Sequence, residues 1–289
     1  MTIKLLFDTD IGSDIDDAFC LAYLLAQDEC ELLGITTVTG EAKRRAMMAS
    51  AICTAMGKDV PIVPGRETPL VGEVKQKQAP QAEALSGLDH MKEFPEGGAL
   101  DFLAETIREN PNDVILLSVG SLTNVGELFL NDPGAAGLLR GLVAMCGDFR
   151  SSGPVAEWNA SGDPRATEIV FNTPLDLHRS LGLNVTSEVK MSMERVLSTF
   201  RSSRAEPVMD FAEVWFRTND SVTFHDPLAA ATVFRDDICR FETGRVKVDI
   251  DDGRAFTRWS GDPSGGHEVA VSVDPSIFFE HFCSVLEGE

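Results

Sequence analysis

The sequence predicts an α/β protein in which one domain, residues 1–289, is built on a mostly parallel central sheet flanked by helices. Short apolar runs alternate with longer amphipathic ones through the first half, the pattern of strand–helix–strand units whose sheet is covered on both faces. A length of 289 residues buries a large core and fits one α/β domain better than two. Polar clusters also stand just after the apolar runs, and ligands in such sheets gather beyond the carboxyl ends of the strands.

In order, residues 4–7 read as a buried strand and 16–26 as a helix. Residues 32–37 form a β-branched strand, and 42–56 a helix whose Ala, Met and Ile recur at helical spacing. Residues 100–108 are again helical, 114–118 an apolar strand and 142–145 a further short strand. The C-terminal third is harder to parse; 245–250 and 268–273 read as strands and 275–286 as a closing helix. Residues 70–98, with Gln, Lys, Pro and Gly throughout, read as a long surface excursion, and such loops are often lids or disordered.

The balance of 46 acidic against 25 basic residues, a formal charge of −21, opposes binding to a nucleic-acid polymer or an anionic membrane. Six scattered cysteines without a C-x-x-C pair point to free thiols in a reducing compartment. The amino terminus is too short in apolar residues for a signal peptide, and no run of about 20 apolar residues appears, so a cytoplasmic location is expected.

Asp8, Asp10, Asp14, Asp16 and Asp17 stand within ten residues. Such crowding is costly unless something neutralises it. Asp16 and Asp17 suit the positive end of the following helix, but Asp8 and Asp10 directly follow a buried strand, a poor place for solvated decoration. A hard cation, calcium or magnesium, is the partner this chemistry calls for. The spacing fits an EF-hand only in part, since the glutamate at loop position 12 is missing.

The run DTDIGSDIDDA at 8–18 resembles the amino-terminal signature of the inosine–uridine nucleoside hydrolase family. Two extra residues precede its last three, a variant associated with bacterial members. ITTVTG at 35–40, SLTN at 121–124, EWN at 157–159, Asp163-Pro164 and His225-Asp226-Pro227 follow in family order. The resemblance implies a nucleoside hydrolase-like, Rossmann-type fold and calcium-dependent hydrolysis of the N-glycosidic bond of ribonucleosides. It also implies a homodimer or homotetramer. Asp10, Asp17, the backbone carbonyl of Thr123 and Asp226 are the implied Ca2+ ligands, an all-oxygen set suited to that ion. Asp10 is the implied base toward a water acidified by the cation. Asp16 is placed on a ribose hydroxyl, with Asp14 competing for the position of Asp16 or Asp17. Glu157 and Asn159 fall on the sugar's 5′ side, and His225 is the implied proton donor to the departing base. The reaction passes through an oxocarbenium-like sugar that nearby carboxylates stabilise.

Without the resemblance, Glu157 and Asn159 read as a pair making backbone bonds, and His225 as structural. Trp158, Phe149 and Trp215 offer stacking surfaces for a base; only Trp158 is expected near the site. Asp236, Asp237, Asp251 and Asp252 read as solvated turns. Two departures from the family pattern stand out. Glu41 replaces an Asn that bonds ribose in many members, and is expected to face the sugar or to select another glycone. Ser151 falls near another Asn position, and the adjacent Arg150 suits a substrate bearing phosphate or carboxylate. Glu41 and Ser151 favour an alternative, a non-catalytic calcium- and sugar-binding relative. A haloacid-dehalogenase-type phosphatase, with Asp8 as nucleophile and Asp10 as acid/base, is the other alternative. Its pattern expects Thr or Val where Gly12 stands, and it leaves Thr123, Glu157 and His225-Asp226 without a role.

Overall fold

A computed structural model describes residues 2–95 and 98–287. Strands β1 (Ile3–Thr9), β2 (Cys30–Thr37), β3 (Ile62–Pro64), β4 (Val114–Ser118), β5 (Gly141–Met145) and β6 (His178–Leu181) are followed by a short separate pair, β7 (Lys190–Ser192) and β8 (Ser221–Thr223). Then come β9 (Cys239–Asp251), β10 (Arg254–Gly261) and β11 (His267–Val273). Among the described residues, nine strands make one sheet in the order β10-β9-β11-β6-β5-β4-β1-β2-β3. From β3 to β11 the neighbours run parallel; β9 and β10 are antiparallel additions at the edge.

The helices of the first half are α1 (Asp16–Ala26), α2 (Ala42–Ala55), α3 (Ala99–Glu109), α4 (Thr123–Asn131) and α5 (Pro133–Ala136). The second half holds α6 (Trp158–Gly162), α7 (Pro164–Asn172), α8 (Leu183–Thr186), α9 (Met193–Phe200), α10 (Met209–Trp215), α11 (His225–Phe234) and α12 (Pro275–Glu287). They cover both faces of the sheet. In β1, Leu5 and Phe7 enter the core beneath α1, α2, α11 and α12, whereas Leu6 enters the opposite core with Leu103 and Ile107 of α3 and Leu128 of α4. That two-sided burial is why β1 reads as a continuous apolar run. Each such side chain contributes about 1.5–3 kcal/mol. All eleven residues of α1 are buried, as a helix apolar on every side requires.

The order of the strands reverses at β1, with β2 and β3 on one side and β4, β5 and β6 on the other. The crevice beyond the carboxyl ends of β1 and β4 is therefore the topological switch point, where open α/β sheets bind ligands.

Most described residues of 70–98, read as a surface excursion, are exposed or half-buried; Glu96 and Gly97 lie outside the described residues. Pro80–Gly87 forms a 3-10 helix. Ala79, Ala82 and Leu85 recur every three residues and are buried, matching its three residues per turn. Lys75 Nζ also donates to the carbonyls of Ser161 at 2.5 Å and Gly253 at 2.7 Å. These bonds and the buried Ala79, Gln81, Ala82 and Leu85 fasten an otherwise exposed segment to the rest of the chain. No helix among the described residues is long and apolar enough to cross a membrane, and all six cysteines are free. Asp236 and Asp237 lie in an exposed turn, and Asp252 turns the β9–β10 hairpin.

One buried group makes stability depend on pH. His178 of β6 stacks on Phe171 and meets the His267 ring at a 59° tilt, with ring centroids 4.8 Å apart in each case. Neither of its ring nitrogens has a partner among the described residues. Burial, with the neighbouring His267, pushes its pKa down from 6.5 to about 3. The unfolded chain takes up a proton below pH 6.5 that the folded chain refuses, so stability is lost as pH falls from 6.5 toward 3. At pH 5 the loss is about 2 kcal/mol. His178→Phe keeps the stack and removes the proton site. Urea unfolding at pH 7 and pH 5 is expected to show the wild type losing about 2 kcal/mol relative to this variant; parallel pH profiles would contradict the account.

Candidate active site

Beyond β1 the acidic residues separate into those that build the crevice and those that face it. Asp8 is fully buried. Its Oδ1 accepts from Thr36 Oγ1 at 2.6 Å and Asn124 Nδ2 at 2.7 Å, and its Oδ2 from Ser118 Oγ at 3.3 Å. Burial raises its pKa to about 6 against these donors. Asp8 thus ties β1 to β2, β4 and α4, and it does not line the cavity, which removes the nucleophile of the phosphatase reading. Asn124 also donates to the Thr37 carbonyl and accepts from the Arg66 N–H, so SLTN is largely a brace. Asp163 caps α7 through the Ala166 N–H and accepts from the Leu70 N–H and Thr123 Oγ1.

Asp16 and Asp17 occupy the first turn of α1, and Asp226 the first turn of α11. One oxygen from each lies within 4.8 Å of the others. The Asp226 N–H donates to Asp16 Oδ2 at 3.0 Å, and Thr9 Oγ1 donates to Asp17. Two helix N-termini thus point at the cluster, which favours negative charge there. Even so, burial, and after it the neighbouring carboxylates, push Asp16, Asp17 and Asp226 well above the ordinary carboxylate range. Three buried oxygens at this spacing, with no lysine or arginine bonded to them, are a donor set that fits a hard divalent cation.

Of the implied ligands, Asp17 and Asp226 belong to the convergent trio of carboxylates, Asp16 completes it, and Asp10 lies outside it. Asp16 belongs to it, because α1 begins at Asp16 and projects both of its first two carboxylates from one turn. Thr123 does not line the cavity; its hydroxyl is turned to Asp163 at 3.0 Å. Asp10 and Asp14 line the same cavity outside the trio. Burial raises Asp10 above its ordinary value, opposed by the charge of Arg45. Asp14, raised to about 6 mainly by burial, accepts from its neighbour Ile15.

Arg45 of α2 escaped the sequence reading. It is fully buried, and its guanidinium donates to the carbonyls of Asp10, Ile11 (3.0 Å), Gly40 (2.9 Å) and Gln78 (3.1 Å) and to Ser13 Oγ (2.9 Å). It moulds the acidic loop from behind. Nothing in its spacing separates it from the exposed Arg44 beside it.

The cavity has a volume of about 340 Å³, at the small end of ligand sites. Its floor is Asp10, Asp14, Asp16, Asp17 and Asp226; Val119 and Met145 close it at the ends of β4 and β5. Gly120 lets the two strand ends meet, since a Cβ there would sit 2.8 Å from the Asp10 nitrogen. Glu157, Trp158 and Asn159 enter from α6, His225 from α11, Trp215 from α10 and Gln76 from the 70–98 segment.

Glu157 is the N-cap of α6. Its carboxylate accepts from the N–H groups of Asn159 (2.7 Å), Ala160 (2.7 Å) and Gly147 (3.0 Å), and burial raises its pKa to about 7 despite them. Asn159 Nδ2 donates to the carbonyls of Val119 (2.6 Å) and Met145 (3.0 Å). Its Oδ1 accepts no hydrogen bond among the described residues. His225 Nδ1 lies 2.7 Å from Thr186 Oγ1, and burial lowers its pKa to about 4, so the ring is neutral at pH 7.

Trp158 is 53% exposed at the mouth. Contrary to expectation, Trp215 lines the cavity too, anchored by Nε1 on the Ser221 carbonyl at 2.9 Å. Phe149 is buried and does not line it. Nor does Glu41, which takes a left-handed conformation (φ 62°) and turns its carboxylate to the Ala79 N–H at 2.8 Å and to Arg44 at 3.1 Å. Its carboxylate is thus engaged by the 75–79 segment and Arg44 and is not presented to this cavity. Ser151 is exposed away from the cavity; Arg150, held by Asp148 at 3.4 Å and the Leu183 carbonyl at 3.0 Å, does not line it either.

Residues 5–280 match the family model described as inosine-uridine preferring nucleoside hydrolase. The chain is 31% identical to uridine nucleosidase 1 of Arabidopsis thaliana, over 96% of this chain and 91% of that one. It is 28% identical to the inosine-uridine preferring nucleoside hydrolase of Leishmania major, over 100% of this chain and 98% of that one. A solved inosine-guanosine nucleoside hydrolase shares the fold with a TM-score of 0.85 at 22% identity, covering 100% of both chains. Plant, Leishmania and Salmonella proteins all match, so the two-residue extension is not tied to bacterial members. With the match running from β1 into α12, the chain belongs to the inosine–uridine preferring nucleoside hydrolase family.

Proposed function

We propose that the protein hydrolyses the N-glycosidic bond of ribonucleosides with Ca2+ as its cofactor, releasing ribose and the free base. The observation that carries this reading is the convergence of Asp16, Asp17 and Asp226 on the floor of a cavity that also holds Asp10. Asp16, Asp17 and Asp226 would hold the cation, with Asp10 beside them. When bound, the cation supplies the charge that keeps these carboxylates ionised and acidifies a water.

The acidic floor takes the sugar, and the aromatic mouth formed by Trp158 and Trp215 takes the planar base. Asp10 accepts the proton of the water that attacks the anomeric carbon. As the bond to the base breaks, the surrounding carboxylates stabilise positive charge on the ring. Asn159 Oδ1, the free end of a side chain whose nitrogen is already engaged, accepts from a sugar hydroxyl; Glu157 fixes the turn that presents it. His225, neutral at pH 7, helps the departing base by donating an Nε2–H hydrogen bond. Thr186 selects that tautomer when its hydroxyl donates to Nδ1. With Glu41 turned away, no extra negative charge enters the sugar pocket, which weakens the case for a binding-only relative.

Reducing-sugar release from inosine, uridine, cytidine, adenosine and p-nitrophenyl riboside, with calcium and after chelation, tests the reading. Chelator-sensitive release from at least one nucleoside is expected; binding of calcium without any release would overturn it. Asp10→Ala should lower kcat/KM by about a thousandfold, and near-normal turnover would remove Asp10 from the mechanism. His225→Ala should slow inosine by about tenfold more than p-nitrophenyl riboside, whose leaving group needs little help. Equal slowing of both would exclude a role at the departing base.

A further inference from the structure

The backbone after β2 and the segment 75–79 are pressed together behind the cavity. A Cβ on Gly40 would lie 2.7 Å from the Gln76 carbonyl oxygen and 2.6 Å from that of Lys77. On either side of Gly40, Thr39 (φ 67°) and Glu41 (φ 62°) hold left-handed conformations, which non-glycine residues keep only where their surroundings enforce them. The turn at Glu41 aims its carboxylate at the 75–79 segment, where Oε2 accepts the Ala79 N–H at 2.8 Å. That bond, with Arg44, holds the Glu41 carboxyl below its ordinary range. Three residues before Ala79, Gln76 lines the cavity, with Nε2 donating to the Gln78 carbonyl at 2.9 Å. Its Oε1 is left to meet a hydroxyl or N–H of a bound molecule. At the other end of the segment, Lys75 is fastened to the carbonyls of Ser161 and Gly253.

We propose that Glu41 is a positioning residue. Through the Ala79 N–H it holds the 75–79 segment in the shape that presents Gln76 to the substrate, and Gln76 makes the contact. This rests on the nucleoside reading above. It gives Glu41, one of the two departures from the family pattern, a different role, in which the acid shapes the wall from outside while an amide from that wall meets the ligand.

Two measurements on the full chain test it. The first compares wild type, Glu41→Ala, Glu41→Gln, Gln76→Ala and the double variant Glu41→Ala/Gln76→Ala on a nucleoside the wild type cleaves. Gln76→Ala and Glu41→Ala should each raise KM about tenfold, the worth of one hydrogen bond, with kcat within about twofold. Glu41→Gln, which keeps an acceptor for the Ala79 N–H, should stay within about twofold of wild type. The double variant should be no worse than Gln76→Ala alone, since Glu41 then has nothing left to position. Multiplying losses, about a hundredfold in KM, would give Glu41 its own contact with substrate and overturn the proposal. The second measurement is amide hydrogen exchange over 75–79, which needs no turnover. Exchange should quicken about tenfold in Glu41→Ala and not in Glu41→Gln; unchanged exchange in Glu41→Ala would overturn the tether. If the wild type cleaves no nucleoside, the proposed reaction fails, and exchange alone decides the positioning role.

Discussion

At the carboxyl edge of the sheet, Asp16, Asp17 and Asp226 bring buried oxygens within 4.8 Å of one another, and Asp10 and Asp14 share their cavity. With all three ionised, each pair repels by about 3 kcal/mol at an effective dielectric of 20. The protein's own relief is partial. The N-termini of α1 and α11 each contribute up to about 1–2 kcal/mol, and Arg45 directs its hydrogen bonds to carbonyls and a hydroxyl. Left alone, the carboxyls are driven toward holding protons. A bound divalent cation would resolve the conflict and let five acids stay close, two of them on the loop after β1 and three on the first turns of α1 and α11.

That geometry is maintained by polar residues, three of which, Asp8, Asn124 and Asp163, do not line the cavity. Asp8 joins three strands from inside the sheet edge, Asn124 braces β2 and the Arg66 backbone, and Asp163 fixes α7 and the Thr123 hydroxyl. Glu157 commits its carboxylate to three N–H groups and thereby orients Asn159. A buried polar group left without a partner costs about 1–3 kcal/mol, so these linked pairs stiffen the crevice on which the reacting groups depend. Motif residues thus divide into a facing layer and a supporting layer, and α1, buried on every side, is the rigid platform for both.

The parts legible in the sequence were those governed by local pattern. The continuous apolar runs of β1 and β4, and the acid pair opening an apolar helix at Asp16, mark elements that the structure reproduces at the same positions. The acidic cluster was legible because its charge density has no simple solvated explanation after a buried strand. Other features depend on partners distant in sequence. His178–Leu181 carries His and Arg yet is an interior strand of the sheet. Arg45 looks like Arg44 until the loop at 10–13 and Gln78 close around it. Trp215 reaches the cavity from α10, which packs against the distant 3-10 helix at 80–87. Glu41 meets the Ala79 N–H from a left-handed turn that composition does not reveal.

Calorimetric titration of chelator-stripped protein with calcium chloride addresses the central constraint most directly. One saturable site per chain is predicted, lost in Asp17→Asn and Asp226→Asn, with a higher Tm in the calcium-loaded wild type than in the stripped one. Absence of binding heat together with an unchanged Tm would contradict the account, since the carboxylates would then be held together without the cation they are arranged to receive.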